Sequence, residues 1–465
     1  MKSAALFVFC LVPACLHAQE SALAADFRGE SERFKDSCAS GFSFGKIASC
    51  ADLLATDHPL HVALGSLAPQ NGFGSGLAFV SHLTPNESWR LSWSVDAVAT
   101  SNASWRAGGY LTAVLVRHPK IVVQPGGPGS SGGSEPSIQE FPVFHAYAQG
   151  ISLNTLTFFG LGPNTVDTAR SYYGMTQTIT GVNAVWPVLQ KLNMSLYGEA
   201  NGRFVNLRGS YGNSSPSIEQ LYNNATAPGL AGQPAFAQFG EGIRARPVFA
   251  ADYVRLNYFF NYQQYVASGS IYSFQRFTTD LGHQIALYRK TRLPYTRDYN
   301  GPNDCSSDPS VHKCPSPTRD LQGSIGFRFI YSQSMTAANH VVPFYFQQTL
   351  GGSDINGTPF LASYQDYRFR APNLMLLRGS FEHSLPGKLS PLGVAFNADF
   401  GKVALSRSAL SSTPFLHSYS TGLTLRAGGF PEVWLLYAWG GHEGVHTIGA
   451  MNTSLLGGSA RPSLY

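Results

Sequence analysis

Charge is what this sequence has least of. Only 13% of its 465 residues are Asp, Glu, Lys or Arg, roughly half the share of an ordinary soluble domain. The net charge of +5 is dispersed, with no run of Lys or Arg. That leaves no electrostatic footprint for nucleic acid, and no nucleic-acid partner is expected. Long apolar runs are missing as well: beyond the N-terminal stretch, nothing offers the roughly 18 to 20 continuous apolar residues of a membrane helix. The mean hydropathy of −0.07 is too polar for a helical membrane protein. No composition break or linker divides the chain after its first sixty or so positions, so a single large unit fits better than two or three soluble domains.

Cysteine is scarce too. Of six, Cys10 and Cys15 fall in the N-terminal apolar stretch. The remaining four stand as two close pairs, Cys38 with Cys50 and Cys305 with Cys314, which in an exported chain predicts two local disulfides. Neither pair has Cys-x-x-Cys spacing or a neighbouring His at ligand distance, so no zinc, redox centre or other cofactor is expected.

What is abundant is glycine, 48 residues, and aromatic side chains, 13%. The chain is therefore rich in strand and turn formers and poor in helix formers. Residues 1–18 read as a secretory signal, with Lys2, an apolar run and a small Ala18 before Gln19. Cys15 after Val12, Pro13 and Ala14 loosely imitates a lipidation box, but the Ala18 site fits better. Residues 19–60 form a short periplasmic segment in this reading, with a short helix near residues 47–55. Residues 61–465 form an outer-membrane barrel.

From residue 73 onward the pattern is strand, turn, strand, with tight turns that pair neighbours antiparallel. Strands are expected at residues 74–83, 89–99, 105–117, 141–153, 156–162, 171–185, 195–207, 235–249, 254–266, 271–288, 323–333, 373–385, 392–405, 416–427, 432–440 and 447–456. The sum is about sixteen, an even number as a closed bacterial barrel requires. The predicted fold class is all-β, a transmembrane antiparallel β-barrel whose hydropathy averages out between lipid-facing and lumen-facing side chains. Residues 119–137, rich in Gly, Ser and Pro, are placed as an extracellular loop, and residues 211–234 as another polar loop. Residues 292–320 form a long insertion. Trp89, Trp93, Trp434, Tyr437 and Trp439 are candidates for interfacial aromatic girdles.

Residues 350–403 stand apart. They combine a loop punctuated by Gly351, Gly352 and Gly357 with two strand patterns and the acid Asp399. Leu350, Gly351, Gly352, Asp354 and Gly357, the run YQDYRFRAPN from Tyr364 to Asn373, then Glu382, Asp399 and Gly401 together resemble the barrel domain of the BamA/TamA-like outer-membrane surface-antigen family. Weaker pieces of the same resemblance are GFGSGLAFVSHL at residues 72–83, FFGLG at residues 158–162 with Tyr172 and Tyr173, and Val342, Pro343 and Phe344. The resemblance implies a loop that folds back into the barrel lumen and meets an acid on a following strand. It also places the insertion at residues 292–320 on the periplasmic side. Carried over residue by residue, the implied contact set is Asn356, Gly357, Arg368, Arg370, Glu382, Asp399 and Gly401. Two positions depart: Asn356 stands where the family has Arg, and Asn397 where an aromatic precedes the Asp. Asn356 would then donate a neutral amide to Asp399. Residues 19–60 are also too few for the periplasmic POTRA modules of many members.

Two motifs suggest bond chemistry. His442, Glu443 and His446 fit H-E-x-x-H, but Gly440, Gly441 and Gly444 oppose the helix a zinc protease needs, so a short turn is expected. Gly129, Ser131 and Gly133 fit G-x-S-x-G, but Pro125, Pro128 and Pro136 flank it in place of a strand and a helix. No enzyme activity is expected. The resemblance implies instead an auxiliary factor in outer-membrane protein insertion, assembly or translocation. Its partners would be outer-membrane lipid, client polypeptides and a periplasmic protein. A passive or plugged pore is the alternative, and a barrel-embedded hydrolase is a distant third.

Overall fold

The computed structural model describes residues 60–86, 88–116, 141–212, 214–250, 253–287, 323–385, 392–425, 433–451 and 461–465. The signal stretch, Cys15, the four paired cysteines, the helix near residues 47–55, the G-x-S-x-G motif and the loops at residues 119–137 and 292–320 lie outside them.

Most of the described residues, about 64%, lie in strands. In order these are β1 (Leu60–Ser66), β2 (Phe73–Asn86), β3 (Trp89–Thr100), β4 (Trp105–Leu115), β5 (Val143–Phe158), β6 (Ser171–Leu189), β7 (Met194–Arg208), β8 (Phe236–Ala245), β9 (Val248–Phe249) and β10 (Val254–Ala267). There follow β11 (Phe274–Ala286), β12 (Ser324–Met335), β13 (Gln348–Leu350), β14 (Phe369–Ala371), β15 (Asn373–Ser384), β16 (Leu392–Ala404), β17 (Leu416–Leu425), β18 (Val433–Gly441) and β19 (Gly444–Met451). β13 and β14 form a separate two-stranded sheet, and the two-residue β9 pairs only with β10. Setting these three aside leaves, among the described residues, sixteen wall strands, each antiparallel to the next.

The alternation along each strand is inverted relative to a soluble sheet. On β7, Leu196 and Phe204 face outward, Phe204 with 52% of its surface exposed, while Asn201, Arg203 and Val205 are buried. On β18, Leu435 is 55% exposed, and on β3 Trp93 and Val95 point out while Asp96 is buried. Buried polar groups from all round the sheet, among them Arg106, Gln149, Gln177, Gln238, Gln263, Arg276 and Asp399, point inward. Apolar out and polar in is the pattern of a wall between lipid and a wet lumen. In water, an apolar surface this extensive would aggregate. Aromatic residues gather near the two ends. Trp89, Phe144 and Trp186 run across one rim with centroids 6.1 and 6.2 Å apart. Phe400, Tyr419, Trp439 and Tyr437 lie nearer the other. Most strands exceed the roughly 9 to 11 residues needed to cross a bilayer.

The expected count of sixteen rests on two offsetting misreadings. β1 is missed because its period-2 contrast is weak: outward Leu60, Val62 and Leu64 alternate with an inward His61, Ala63 and Gly65, over only seven residues. β5 is read as two strands, split at Asn154 and Thr155. In the structure it is one strand with a register shift between Leu153 and Leu156. The polar pair marks a bulge, not a turn. The Asn71 side chain both donates to the Thr155 carbonyl (2.8 Å) and accepts from its amide (3.0 Å), satisfying the backbone that the ladder leaves open. The polar loop at residues 211–234 contains one short helix, Ile218–Leu221, with a capping box at Ser217 and Gln220.

Candidate functional site: the inserted loop and its clamps

The connection between β12 and β15, the eleventh and twelfth wall strands, folds inward. It opens with a 3-10 turn, Phe344–Phe346, whose three rings are buried. β13 then leads in and β14 leads out, paired from Gln348↔Ala371 to Leu350↔Phe369. Between them residues 351–368 form a compact hairpin. Gly351 and Gly352 have φ of 95° and 60°, and a Cβ on Gly352 would stand 2.5 Å from the Asp366 amide nitrogen. Only glycine lets the outgoing chain pass so close. Leu350, Phe360, Leu361, Tyr364 and Phe369 bury themselves against Leu374, Leu376 and Val403 of the wall. This apolar burial carries the loop inside.

Four arginines fix it there. Arg378 on β15 and Asp399 on β16 are register partners and make a two-pronged pair at 2.6 and 2.7 Å. Asp399 Oδ2 also accepts the Leu361 amide at 2.8 Å, and Arg378 Nη2 donates to the Pro359 carbonyl at 2.5 Å. Gly401, two residues on, leaves the space that Leu350 and Leu361 fill: a Cβ there would meet their methyls at 3.0 and 3.2 Å. Arg368 donates from Nε to Glu443 and from both terminal nitrogens to Thr165, at 2.6 and 2.7 Å. Its guanidinium carbon lies over the rings of Phe369 and Phe159, 4.6 and 5.0 Å from their centroids. The second Glu443 oxygen accepts the Gln365 amide at 3.1 Å. Arg370 donates to the Phe344 carbonyl at 2.9 Å and reaches the Tyr173 hydroxyl at 3.4 Å, and the Gly162 amide donates to the Arg370 carbonyl. Arg276 of β11 donates to the Phe346 carbonyl.

The loop touches both ends of the sheet. The Tyr367 hydroxyl donates to the Pro69 carbonyl in the β1–β2 turn at 2.9 Å, while Glu443 belongs to the two-residue turn closing β18 and β19. The first and last hairpins therefore meet across one internal segment, and the sheet curves round it.

Of the expected contact set, Gly357, Arg368, Arg370, Asp399 and Gly401 lie in or against the inserted loop, while Asn356 and Glu382 are placed otherwise than expected. Asp399 receives the loop through the Leu361 amide in place of Asn356. The glycine-led turn at Gly357 (φ 84°) carries Asn356 past Asp399, and its Oδ1 instead accepts the Leu464 amide at 3.4 Å. Glu382 is not part of the cluster: it sits four residues beyond Arg378 toward the far rim and accepts from Thr424 at 3.0 Å. FFGLG and Tyr173 pack directly on Arg368 and Arg370. Glu443, Thr165 and Leu361 are functional positions that sequence reasoning missed. The signal for Glu443 was an acid in a glycine-flanked tight turn. The short turn expected there is present: the H-E-x-x-H motif spans a β-hairpin, with His442 against Tyr364 (5.1 Å) and His446 paired with Ala438. Among the described residues no cluster of three or more His, Cys, Asp or Glu could hold a metal.

Two loop carboxyls carry unfavourable charge. Burial pushes Asp354 above the usual aspartate range, partly offset by hydrogen bonds from the Thr358 amide and the Tyr465 hydroxyl and by the Arg461 charge. Burial likewise raises Asp366, against donors Ser353 and Gln70 and the charge of His446.

No protein-family model matches the chain, and no characterised protein matches it by sequence. Among solved structures it is similar to CdiB from Acinetobacter baumannii, at 10% identity, covering 84% of this chain and 58% of that one, with a TM-score of 0.42. It is also similar to BamA from Haemophilus ducreyi lacking POTRA domains 1-3, at 10% identity, with coverage of 84% and 70% and a TM-score of 0.46. A third is CdiB from Escherichia coli, at 12% identity, with coverage of 82% and 59% and a TM-score of 0.45. The chain spans less than two thirds of either CdiB, and the likeness is one of fold alone.

Proposed function

We propose that this is a bacterial outer-membrane barrel of the BamA/TamA-like surface-antigen type that handles other polypeptides, as an auxiliary factor in their insertion, assembly or translocation. The observation that carries the reading is the latch. One inserted loop grips the β1–β2 turn through Tyr367 and the β18–β19 turn through Arg368 and Gln365. A passive pore needs only an inward loop to set its bore. A latch on both ends of the sheet gives the wall a place to part, and a parted edge offers unpaired backbone groups on which a client strand can form. Bond chemistry and a cofactor have no part in this reading.

The test is reconstitution in liposomes with an unfolded outer-membrane barrel as client, following the folded, heat-modifiable fraction over time. Faster client folding than in empty liposomes supports the reading. Ion conductance without acceleration would favour a plugged pore, which the cavity of about 390 Å³, with Glu199, Arg244, Asp280 and Arg328 in its lining, would suit.

A further inference from the structure

Residues 461–465, Arg-Pro-Ser-Leu-Tyr, lie inside the barrel against the inserted loop, although β19 already completes the sixteen wall strands. Leu464 and Tyr465 are 1% and 9% exposed and belong to the same buried apolar cluster as Leu67, Ile355 and Tyr367. The polar ties are of two kinds. Two act on the main chain of the segment: Arg203 donates to the Ser463 carbonyl at 2.9 Å, and Asn356 accepts the Leu464 amide at 3.4 Å. Two hold its end side chains. Arg461 donates to the Leu67 and Ile355 carbonyls at 2.5 and 2.9 Å, and the Tyr465 hydroxyl donates to Asp354 at 3.1 Å. Pro462, Ser463 and Tyr465 form part of the wall of the 390 Å³ cavity.

This is the arrangement of a bound peptide. Hydrogen bonds to main-chain groups take any extended segment, while side-chain anchors at its two ends select a basic and a phenolic residue four positions apart. The hold is limited. Arg461 rests on neutral carbonyls, and burial, reinforced by the Arg106 charge, pushes its guanidinium down to about 10 against the pull of Asp354. A buried cation so placed repays little of its desolvation.

We infer that Arg203, Asn356, Asp354 and the carbonyls of Leu67 and Ile355 form a peptide-binding seat in the lumen. Residues 461–465 are its internal occupant, a displaceable stopper that narrows the conduit. The seat would serve an ion pore and a polypeptide conduit alike, so it stands apart from the protein-handling reading above.

The experiment is single-channel recording in planar bilayers. It compares the full chain, the chain ending at residue 460, and the full-length Arg461→Ala and Tyr465→Phe variants, each first checked for heat-modifiable folding. Removal of the five residues should raise conductance severalfold. A synthetic Arg-Pro-Ser-Leu-Tyr peptide should lower it again saturably, and a scrambled peptide at equal concentration should not. In the full chain, the two point variants should open more often, with the same maximal conductance as the shortened chain. Unchanged conductance on shortening, or restoration by the scrambled peptide as well, overturns the inference. If the shortened chain does not fold, the point variants decide: open probabilities equal to wild type in both overturn it.

Discussion

Arg368 and Glu443 are the residues on which the loop depends most heavily. Their side chains are 1% and 4% exposed, so removing either leaves a buried charge without its partner, at a cost of about 3 to 5 kcal/mol. Glu443→Gln should therefore release the tip of the loop, measured as trypsin cleavage after Arg368 or Arg370 in the folded barrel. Arg368→Gln combined with Glu443→Gln should cost well under the sum of the singles, and strict additivity would refute the pair. Asp354 adds a pH dependence with a definite sign. Its carboxyl is raised in the folded state, so the folded state binds its proton more tightly than the unfolded. Stability from that proton is fully present below the ordinary aspartate value of about 3.9 and is lost as pH rises through the folded value. Loop protection should accordingly grow on acidification through that window, and Asp354→Asn should flatten the profile. An unchanged slope in Asp354→Asn would assign the effect elsewhere. In the sequence, the loop, its arginines and Asp399 were all legible, because glycines and an isolated acid on a strand pattern stand out. The pairing was not. Asp399 takes a backbone amide, which has no signature in residue type, and Glu443 is 75 positions from Arg368.

The elements obey simple rules where one face differs from the other and escape them where it does not. Alternation located β2, β3, β4, β15 and β16 closely, because their two faces meet lipid and lumen. β1 eluded the same rule because small Ala63 and Gly65 and a lone His61 on its inward parity give little contrast over seven residues, and β5 was cut in two because bulge residues look like turn residues until Asn71 is seen bridging them. At this scale the inserted hairpin depends on two glycines. Gly352→Ala must hold φ near +60° and force back the Asp366 backbone, at a cost of roughly 1 to 3 kcal/mol. Gly401→Leu would fill the space taken by Leu350 and Leu361. Both substitutions should leave the wall folded while increasing loop cleavage. A barrel that fails to fold with either would mean that the hairpin is part of the folding core, not a separable insert.

For the whole molecule the inverted pattern, apolar outside and charged pairs such as Asp96–Arg106 and Arg378–Asp399 inside, requires a bilayer. In detergent the chain should migrate faster before boiling than after, since a wall of paired strands has few edges at which to fray. Length, scarce charge and abundant glycine and aromatics pointed to this architecture. They could not reveal that residues 461–465 return to the lumen, because five residues have no periodicity to read. The most direct measurement is hydrogen exchange, read by mass spectrometry, on the folded barrel in detergent micelles, peptide by peptide. Residues 348–371 should exchange as slowly as the wall strands β15 and β16, and in Glu443→Gln they should exchange faster while those strands do not change. Exchange of residues 348–371 within seconds in the wild type, at the rate of an exposed loop, would contradict the inserted, clamped loop at the centre of this account.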